Sequence, residues 1–561
     1  MRIQLVCLED GITSCGFRKL AAYAERLAPS TESLYVSTRS YRTVRGALSG
    51  TMGTLSTLLD DHVDEIAQSL RHADVVGFSS MTGYADLTRR VIRRVRELNP
   101  SSYLVWGGIH PIIEPEDAIQ AGVDGICTGE GEFAFEQLID GLAAGRDVTG
   151  TPNFWFRCAD GAVIKNRFLP LQTPEEMETL PFPQYGAPSE RIYEQGKGFV
   201  PLTVDDYLHN DGLGYPAIWS IGCPLHCSYC GNTKFIANDA NYRKLRHPSA
   251  RYIVEQVKDV KARFPHLSQV SFHDDSFMAI RYSELEEFAE LWRAEVGLPF
   301  AVYGVIPTYV KRDKFELLSW AGMNRIRMGI QSGSKAILDF YKRPTSPERI
   351  LQAGSVASSF APKYHIPPVY DIIMDNPIEK REDVVATLEL LYALARPYTL
   401  LIYSLKVIPN TGLAESMKER GIDLDEIDDS YLIVPPRVAN LLLYLLVLWR
   451  PPRWLWERLL RRVRASSEPQ PLYPRLGMVL RTLYLAKRVL GHLRVMDLSI
   501  TPGKTGHVLW RLGIVERWQR WFVQHPPRPE RASAATLPER AVAGRIPIPL
   551  DGRAAPAEER A

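Results

Sequence analysis

Three of the chain's seven cysteines, Cys223, Cys227 and Cys230, fall within eight residues of one another. They lie in Ile218-Trp-Ser-Ile-Gly-Cys223-Pro-Leu-His-Cys227-Ser-Tyr-Cys230-Gly, whose leading apolar run reads as a strand. A loop leaving a strand at this spacing turns three thiolates toward one iron–sulfide cluster and leaves one iron of a cubane without a protein ligand. An open metal position is where a substrate or cofactor binds, by the logic that separates catalytic from structural zinc sites. The competing reading is a zinc knuckle, but such sites close with a fourth Cys or His at short spacing. The nearest candidates are His226, inside the loop, and His247.

With the aromatic Tyr229 just before its last cysteine, Cys-x3-Cys-x2-Cys resembles the signature of the radical S-adenosylmethionine (SAM) enzymes. The resemblance implies that Cys223, Cys227 and Cys230 hold a [4Fe-4S] cluster whose fourth iron chelates the amino and carboxylate groups of SAM, with Tyr229 in contact with the cofactor. It also implies that reductive cleavage of SAM gives a 5'-deoxyadenosyl radical. The spacing alone implies an open three-thiolate site.

At 561 residues the chain is long enough for two to four domains. A formal net charge of +2 gives no global pull toward nucleic acid. Cys7, Cys15, Cys127 and Cys158 are scattered singly, which argues against a disulfide scaffold and for a reducing compartment. The first residues read directly as a strand, with no signal-peptide pattern, so a cytoplasmic protein is expected. The longest apolar run, Leu441 to Trp449, is too short to span a bilayer.

From residue 1 to about 150, apolar runs at 3–8, 34–36, 75–78, 104–106 and 125–127 alternate with helix-like segments. This predicts a parallel, doubly wound sheet that binds ligands past the carboxyl ends of its strands. Those ends carry Ser79-Ser80, Gly107-Gly108-Ile-His110-Pro111 and Thr128-Gly129-Glu130-Gly131-Glu132. None is the dinucleotide fingerprint. Ahead of a radical SAM signature, the pair Gly-Gly-x-His-Pro and Gly-Glu-Gly-Glu resembles the cobalamin-binding domain of the cobalamin-dependent radical SAM subclass. That likeness implies a corrin over Ser79, Ser80, Gly107, Gly108, Gly129, Glu130 and Gly131. After the first strand the chain reads Glu9-Asp10-Gly-Ile-Thr-Ser-Cys-Gly16, without the histidine that methionine-synthase-like domains give to cobalt. His110 is read as shaping its loop.

Residues 151–212 read as a linker: a hairpin about Asp160-Gly161, then the Pro-rich Leu180–Tyr185. Residues 213–415 hold further apolar runs alternating with helices, which predicts a full or partial parallel (β/α) barrel with its chemistry at the strand carboxyl ends. In that position Phe-x-Asp274-Asp275-x-Phe resembles the family's segment for the SAM amino group. Strand alternation points one of the two inward, and Asp274 is preferred. Gly329-Ile-Gln331-Ser332-Gly-Ser resembles the strand that approaches the SAM carboxylate and ribose, with Gln in place of the usual Glu. Arg327 is a partner for the SAM carboxylate or half of a structural salt bridge. Tyr370–Pro377 resembles the adenine-packing strand, and Lys406–Thr411 the closing Pro-Gly-Thr loop.

Beyond residue 415 the resemblance fades. Residues 416–525 read as helices rich in Leu, Trp, Tyr and Arg, either a helical cap with a solvated basic face or basic amphipathic helices on an anionic membrane surface. Residues 526–561 have the composition of a disordered tail. The resemblance, over residues 1 to 415, implies a cobalamin-dependent radical SAM enzyme that methylates an unactivated carbon of a small-molecule or lipid-like substrate, supplied by an external electron donor of the flavodoxin or ferredoxin type. Oxidative cyclisation or rearrangement, and a cofactor sensor without turnover, are the alternatives. A cytoplasmic location, peripheral to the membrane's inner face if the basic helices lie on it, is the matching expectation.

Overall fold

A computed structural model describes residues 1–38, 62–405, 407–422, 437–465, 473–499, 503–522 and 525–529. Its first unit is a nine-stranded sheet: β1 (Ile3–Glu9), β2 (Glu32–Ser37), β3 (Val75–Ser79), β4 (Tyr103–Gly107), β5 (Gly125–Cys127), β6 (Phe154–Arg157), β7 (Val163–Lys165), β8 (Glu190–Glu194) and β9 (Gly198–Pro201). The order is β7-β6-β5-β4-β3-β1-β2-β8-β9, and β1 to β5 and β8 run parallel. These strands are buried on both faces, which is why they read as unbroken apolar runs. On one face Val6, Leu8, Val76, Phe78, Leu104 and Trp106 pack under the helices α2 (Val63–Leu70) and α3 (Ala85–Leu98). On the other, Leu5, Cys7, Tyr35 and Val105 join a core that continues through α1 (Cys15–Leu27) and α4 (Glu132–Ala143) into the second unit.

The segment expected as a linker is built into this sheet. β6 and β7 pair antiparallel about Asp160-Gly161 and extend one edge, while β8 and β9 extend the other. A fully buried ion pair fixes the second edge, Arg18 of α1 on Glu190 of β8 at 2.5 Å. Tyr35, Tyr185 and Tyr207 surround its guanidinium.

The second unit is an open six-stranded parallel sheet, ordered β10 (Gly214–Ala217), β11 (Gln269–Phe272), β12 (Phe300–Val305), β13 (Met323–Gln331), β14 (Val369–Met374) and β15 (Thr399–Ser404). The helices α5 (Ala250–Arg263), α6 (Tyr282–Leu291), α7 (Arg312–Ala321), α8 (Pro347–Phe360) and α9 (Arg381–Ala393) connect its strands. This is the partial (β/α) barrel expected. The run before the cysteines is not a strand: β10 ends at Ala217, and Ile218–Ile221 leave the sheet. Of the closing loop, Lys406 lies outside the described residues.

The carboxyl-terminal region is helical: α10 (Val438–Leu448), α11 (Arg453–Ala465), α12 (Tyr473–Arg494), α13 (Gly503–Arg511) and α14 (Ile514–Phe522). α12 and the turn after it cross the amino-terminal ends of the barrel strands. Tyr484 donates to the carbonyl of Leu400 at the start of β15, and Gly491 approaches Ile366 and Pro367 just ahead of β14. Buried Arg325 of β13 donates to Asp497 at 2.7 Å, and His492 stands 3.0 Å from the same carboxylate. No helix among the described residues is long and apolar enough to cross a membrane. Residues 530–561, the bulk of the expected tail, lie outside the described ones.

Candidate functional site

β2 and β3 flank β1 on opposite sides, so the connections of the sheet diverge there and a crevice opens at the carboxyl ends of β1 and β3. The crevice leads into a cavity of about 480 Å³ between the sheet and the barrel. Ser79, Gly107, Gly108, Gly129, Glu130 and Gly131 line it from the sheet, and residues 215–221, Asn232, His273 and Asp275 line it from the barrel. Ser80, expected beside Ser79, does not reach the cavity: it is fully buried, with its hydroxyl accepting from Trp106 Nε1 at 3.1 Å. The first residue past β3, it is held in the core by the Trp106 indole.

The glycines are demanded by the backbone itself. Gly108 has φ of +85°, and a Cβ there would stand 2.8 Å from Ser79 Oγ and 3.0 Å from the amide nitrogen of Ser80. His110 is buried under Trp106 with Nε2 2.9 Å from Asp117, so it shapes this loop and stays out of the cavity. Glu130 is anchored by Arg246 at 2.8 Å and by the amide of Gln172 at 2.7 Å. That ion pair, absent from the sequence reading, ties the carboxyl end of the sheet to the barrel.

Burial drives three of the cavity's sheet-side ionisable groups toward their neutral forms. The carboxyl of Glu9 is pushed up to about 7, the Lys19 ammonium down to about 8 and the Cys15 thiol up to about 12. A large, glycine-edged cavity, which a histidine, His273, lines from the barrel side alone, fits a bulky ligand such as a corrinoid.

The cavity's barrel wall reaches Ile221 and Asn232, on either side of the three cysteines, but none of the cysteines themselves; their loop, beyond that wall, is pinned from three directions. The amide of Cys223 donates to the carbonyl of Tyr242, that of Ser228 to Tyr341 and that of Leu413 to Ser228. Cys227 is buried, Cys223 and Cys230 half-buried. Burial raises the Cys223 thiol and pushes that of Cys230 up to about 12, with the neighbouring thiols adding to both. Among the described residues no three Cys, His, Asp or Glu side chains converge on a point suited to one metal ion. A cubane does not ask for such convergence, because each thiolate takes a different iron.

One residue here escaped the sequence reading. Arg343 is buried, with Nη1 3.6 Å from Cys227 Sγ and 3.1 Å from the Tyr229 hydroxyl, and Nη2 donating to the Gly329 carbonyl at 2.5 Å. A cation beside a buried sulfur offsets the negative charge of a thiolate–iron site. Nothing in the spacing of Arg343 flags it; only the fold brings α8's approach segment under the cysteine loop. Tyr229, expected to contact cofactor, instead holds this guanidinium and packs edge-on against Tyr341.

The preference for Asp274 is corrected. Its Oδ1 accepts from the amide of Ser220 at 2.5 Å and from the Ser220 hydroxyl at 2.6 Å, and its Oδ2 from the amide of Trp219 at 3.2 Å. Burial pushes it up to about 6. Both oxygens serve the loop that leads into the cysteines, and it is Asp275 that faces the cavity. Ser332 is likewise corrected: fully buried, it bonds Thr387 at 3.1 Å and accepts from the amide of Ser334 at 3.1 Å. Arg327 clamps Asp371 through Nε at 2.8 and 2.9 Å, the salt-bridge alternative. Gln331, with φ of +72°, sits at the irregularity between β13 and β14 and folds its amide back toward Gly329. Neither Arg327 nor Gln331 lines the cavity.

Two family models match the chain, the B12 binding domain over residues 35–139 and the radical SAM superfamily over residues 218–391. The chain therefore joins a B12 binding domain to a radical SAM domain. The uncharacterized methyltransferase PH0819 of Pyrococcus horikoshii is 21% identical over 319 residues, 56% of this chain and 63% of that protein. Cytidylyl-2-hydroxyethylphosphonate methyltransferase of Streptomyces wedmorensis is 25% identical over 333 residues, 55% of this chain and 59% of that one. The chain therefore spans less than two thirds of the length of these curated relatives. The solved structure of the radical SAM methyltransferase TsrM from Kitasatospora setae, with cobalamin and a [4Fe-4S] cluster bound, matches with a TM-score of 0.56 at 17% identity over 75% of this chain and 78% of that one. At that identity the likeness is one of fold.

Proposed function

We propose that this protein is a cobalamin-dependent radical SAM methyltransferase acting on an unactivated carbon of a small molecule. The observation that carries the reading is that the glycine-edged sheet and the approach to the cysteine loop open on one cavity. Both curated relatives described above bear methyltransferase names. Cys223, Cys227 and Cys230 would hold the [4Fe-4S] cluster, and Ser79, Gly107, Gly108, Gly129, Glu130 and Gly131 would hold cobalamin. Together with SAM these groups supply reductive bond cleavage and a transferable methyl group.

The chain's own residues supply position and charge. Asp274 captures the amides of Trp219 and Ser220 and so fixes the angle at which the cysteine loop leaves β10. Asp275, facing the cavity, would accept from the SAM ammonium. Arg343 balances charge beside Cys227. An external flavodoxin- or ferredoxin-type protein delivers the electron. Residues 437–529 carry 17 Lys and Arg against 4 Asp and Glu, and peripheral contact with a membrane belongs to this region.

The test uses anaerobically reconstituted full-length protein and SAM labelled in its methyl group. Label recovered in product together with 5'-deoxyadenosine is expected. Turnover that never places label in product would replace methyl transfer with cyclisation or rearrangement.

A further inference from the structure

Helix α12 is amphipathic in the inverted sense. Its inner face is polar: Tyr484 and His492 are buried, Arg481, Lys487 and Arg488 half-buried, and Lys487 caps the carbonyl of Val447. Its outer face carries Met478, Val479, Leu483, Val489, Leu490 and Leu493, all exposed by between 38% and 68%. Between Arg475 and Arg494 none of its charged residues is exposed. A surface helix in water shows the opposite arrangement, and a continuous apolar face of this length marks a contact.

The surroundings name the partner. The region's 17 basic against 4 acidic residues contrast with +2 for the whole chain. Trp454 of α11 and Trp521 of α14 are exposed at 67% and 82%. Apolar side chains with tryptophans in a cationic field complement an anionic lipid leaflet. A second copy would bring two strongly cationic regions together.

We infer that the outer face of α12 inserts into the headgroup boundary of an anionic leaflet; this rests on the membrane contact proposed for the region, and names the element and the lipid. The inner face stays on the barrel through the Arg325, His492 and Asp497 cluster. Because α12 crosses the amino-terminal ends of the strands, the leaflet meets the end of the barrel opposite the cysteine loop.

The test is flotation of the full chain with vesicles of phosphatidylcholine alone and of phosphatidylcholine mixed equally with phosphatidylglycerol. It needs no cofactor or turnover, so it stands or falls apart from the methyl-transfer assay. Binding to the anionic vesicles alone is expected, weakened at least about tenfold by combined Leu483→Gln and Leu490→Gln with circular dichroism and Tm unchanged. The single Met478→Gln, at a site 68% exposed, gives the same readout if the double variant unfolds. Undiminished binding of the variants overturns the role of α12 while leaving the membrane contact standing. Equal binding to neutral vesicles overturns the anionic preference. No binding by the wild type overturns both. A dimer that the double substitution disperses assigns the face to a second copy, and binding that appears only on removal of residues 530–561 assigns it to the chain's own end; either overturns the inference.

Discussion

Adjacent carboxylates at 274 and 275 have opposite duties. Asp274→Asn presents an amide NH₂ to donors that need an acceptor, and is expected to cost about 1–3 kcal/mol, read as a fall in Tm. Asp275→Asn should leave Tm in place and weaken SAM binding by about tenfold or more, read by equilibrium dialysis on reconstituted protein. The wrong choice between the two follows from treating both as strand residues: β11 ends at Phe272, so alternation no longer governs which side chain points inward. Arg343 belongs to the same scale. Arg343→Gln removes a positive charge beside Cys227, so the cluster should become harder to reduce, with a more negative midpoint potential in an EPR-monitored titration and unchanged iron content. Glu9 carries a pH signature. Burial lifts it from 4.5 to about 7, so its contribution to stability is fully present below pH 4.5 and is lost as pH rises through about 7. Glu9→Gln should flatten that part of the Tm profile between about pH 5 and about pH 8.

At the scale of elements, the parallel strands were legible because burial on both faces leaves plain apolar runs, as in Val75–Ser79 and Val369–Met374. The loop through Ile218–Ile221 was not, since an equally apolar run is pulled out of the sheet by one distant carboxylate. The β6–β7 hairpin was legible about Asp160-Gly161, but the sheet it joins was not, nor were β8 and β9, for a related reason: edge placement depends on partners such as Glu190 with Arg18, more than 170 residues apart. The cavity's glycine rim was legible as a pattern, though its cause lies in the loop's own geometry. Gly108→Ala forces a Cβ against Ser79 and Ser80, and should cost about 1–2 kcal/mol of backbone strain together with loss of bound corrinoid absorbance after gel filtration.

Across the whole molecule, the two sheets are held as one body by a shared apolar core and the Glu130–Arg246 pair. The carboxyl-terminal region is locked to the barrel by Asp497. Burial alone would raise that carboxyl, but Arg325 and His492 hold it well below the usual carboxylate range. Asp497→Ala leaves the Arg325 guanidinium buried and unpaired, an expected loss of about 3–5 kcal/mol in denaturant unfolding. Arg325→Met made together with it should recover much of that loss, which separates an uncompensated charge from a general packing defect.

The placement of α12 across the strands' amino-terminal ends also bears on which carbons are within range. The strands β13, β14 and β15 are nine, six and six residues long, so with α12 on a leaflet as proposed, roughly 20–30 Å of protein would separate the lipid from the cysteine loop. A protein seated on that floor would work at a fixed height above the bilayer, confined to two dimensions but reaching into water. An acyl-chain carbon resting in the hydrocarbon would be beyond it. The proposed seating therefore calls for a substrate that arrives from the aqueous side, or is first lifted clear of the lipid.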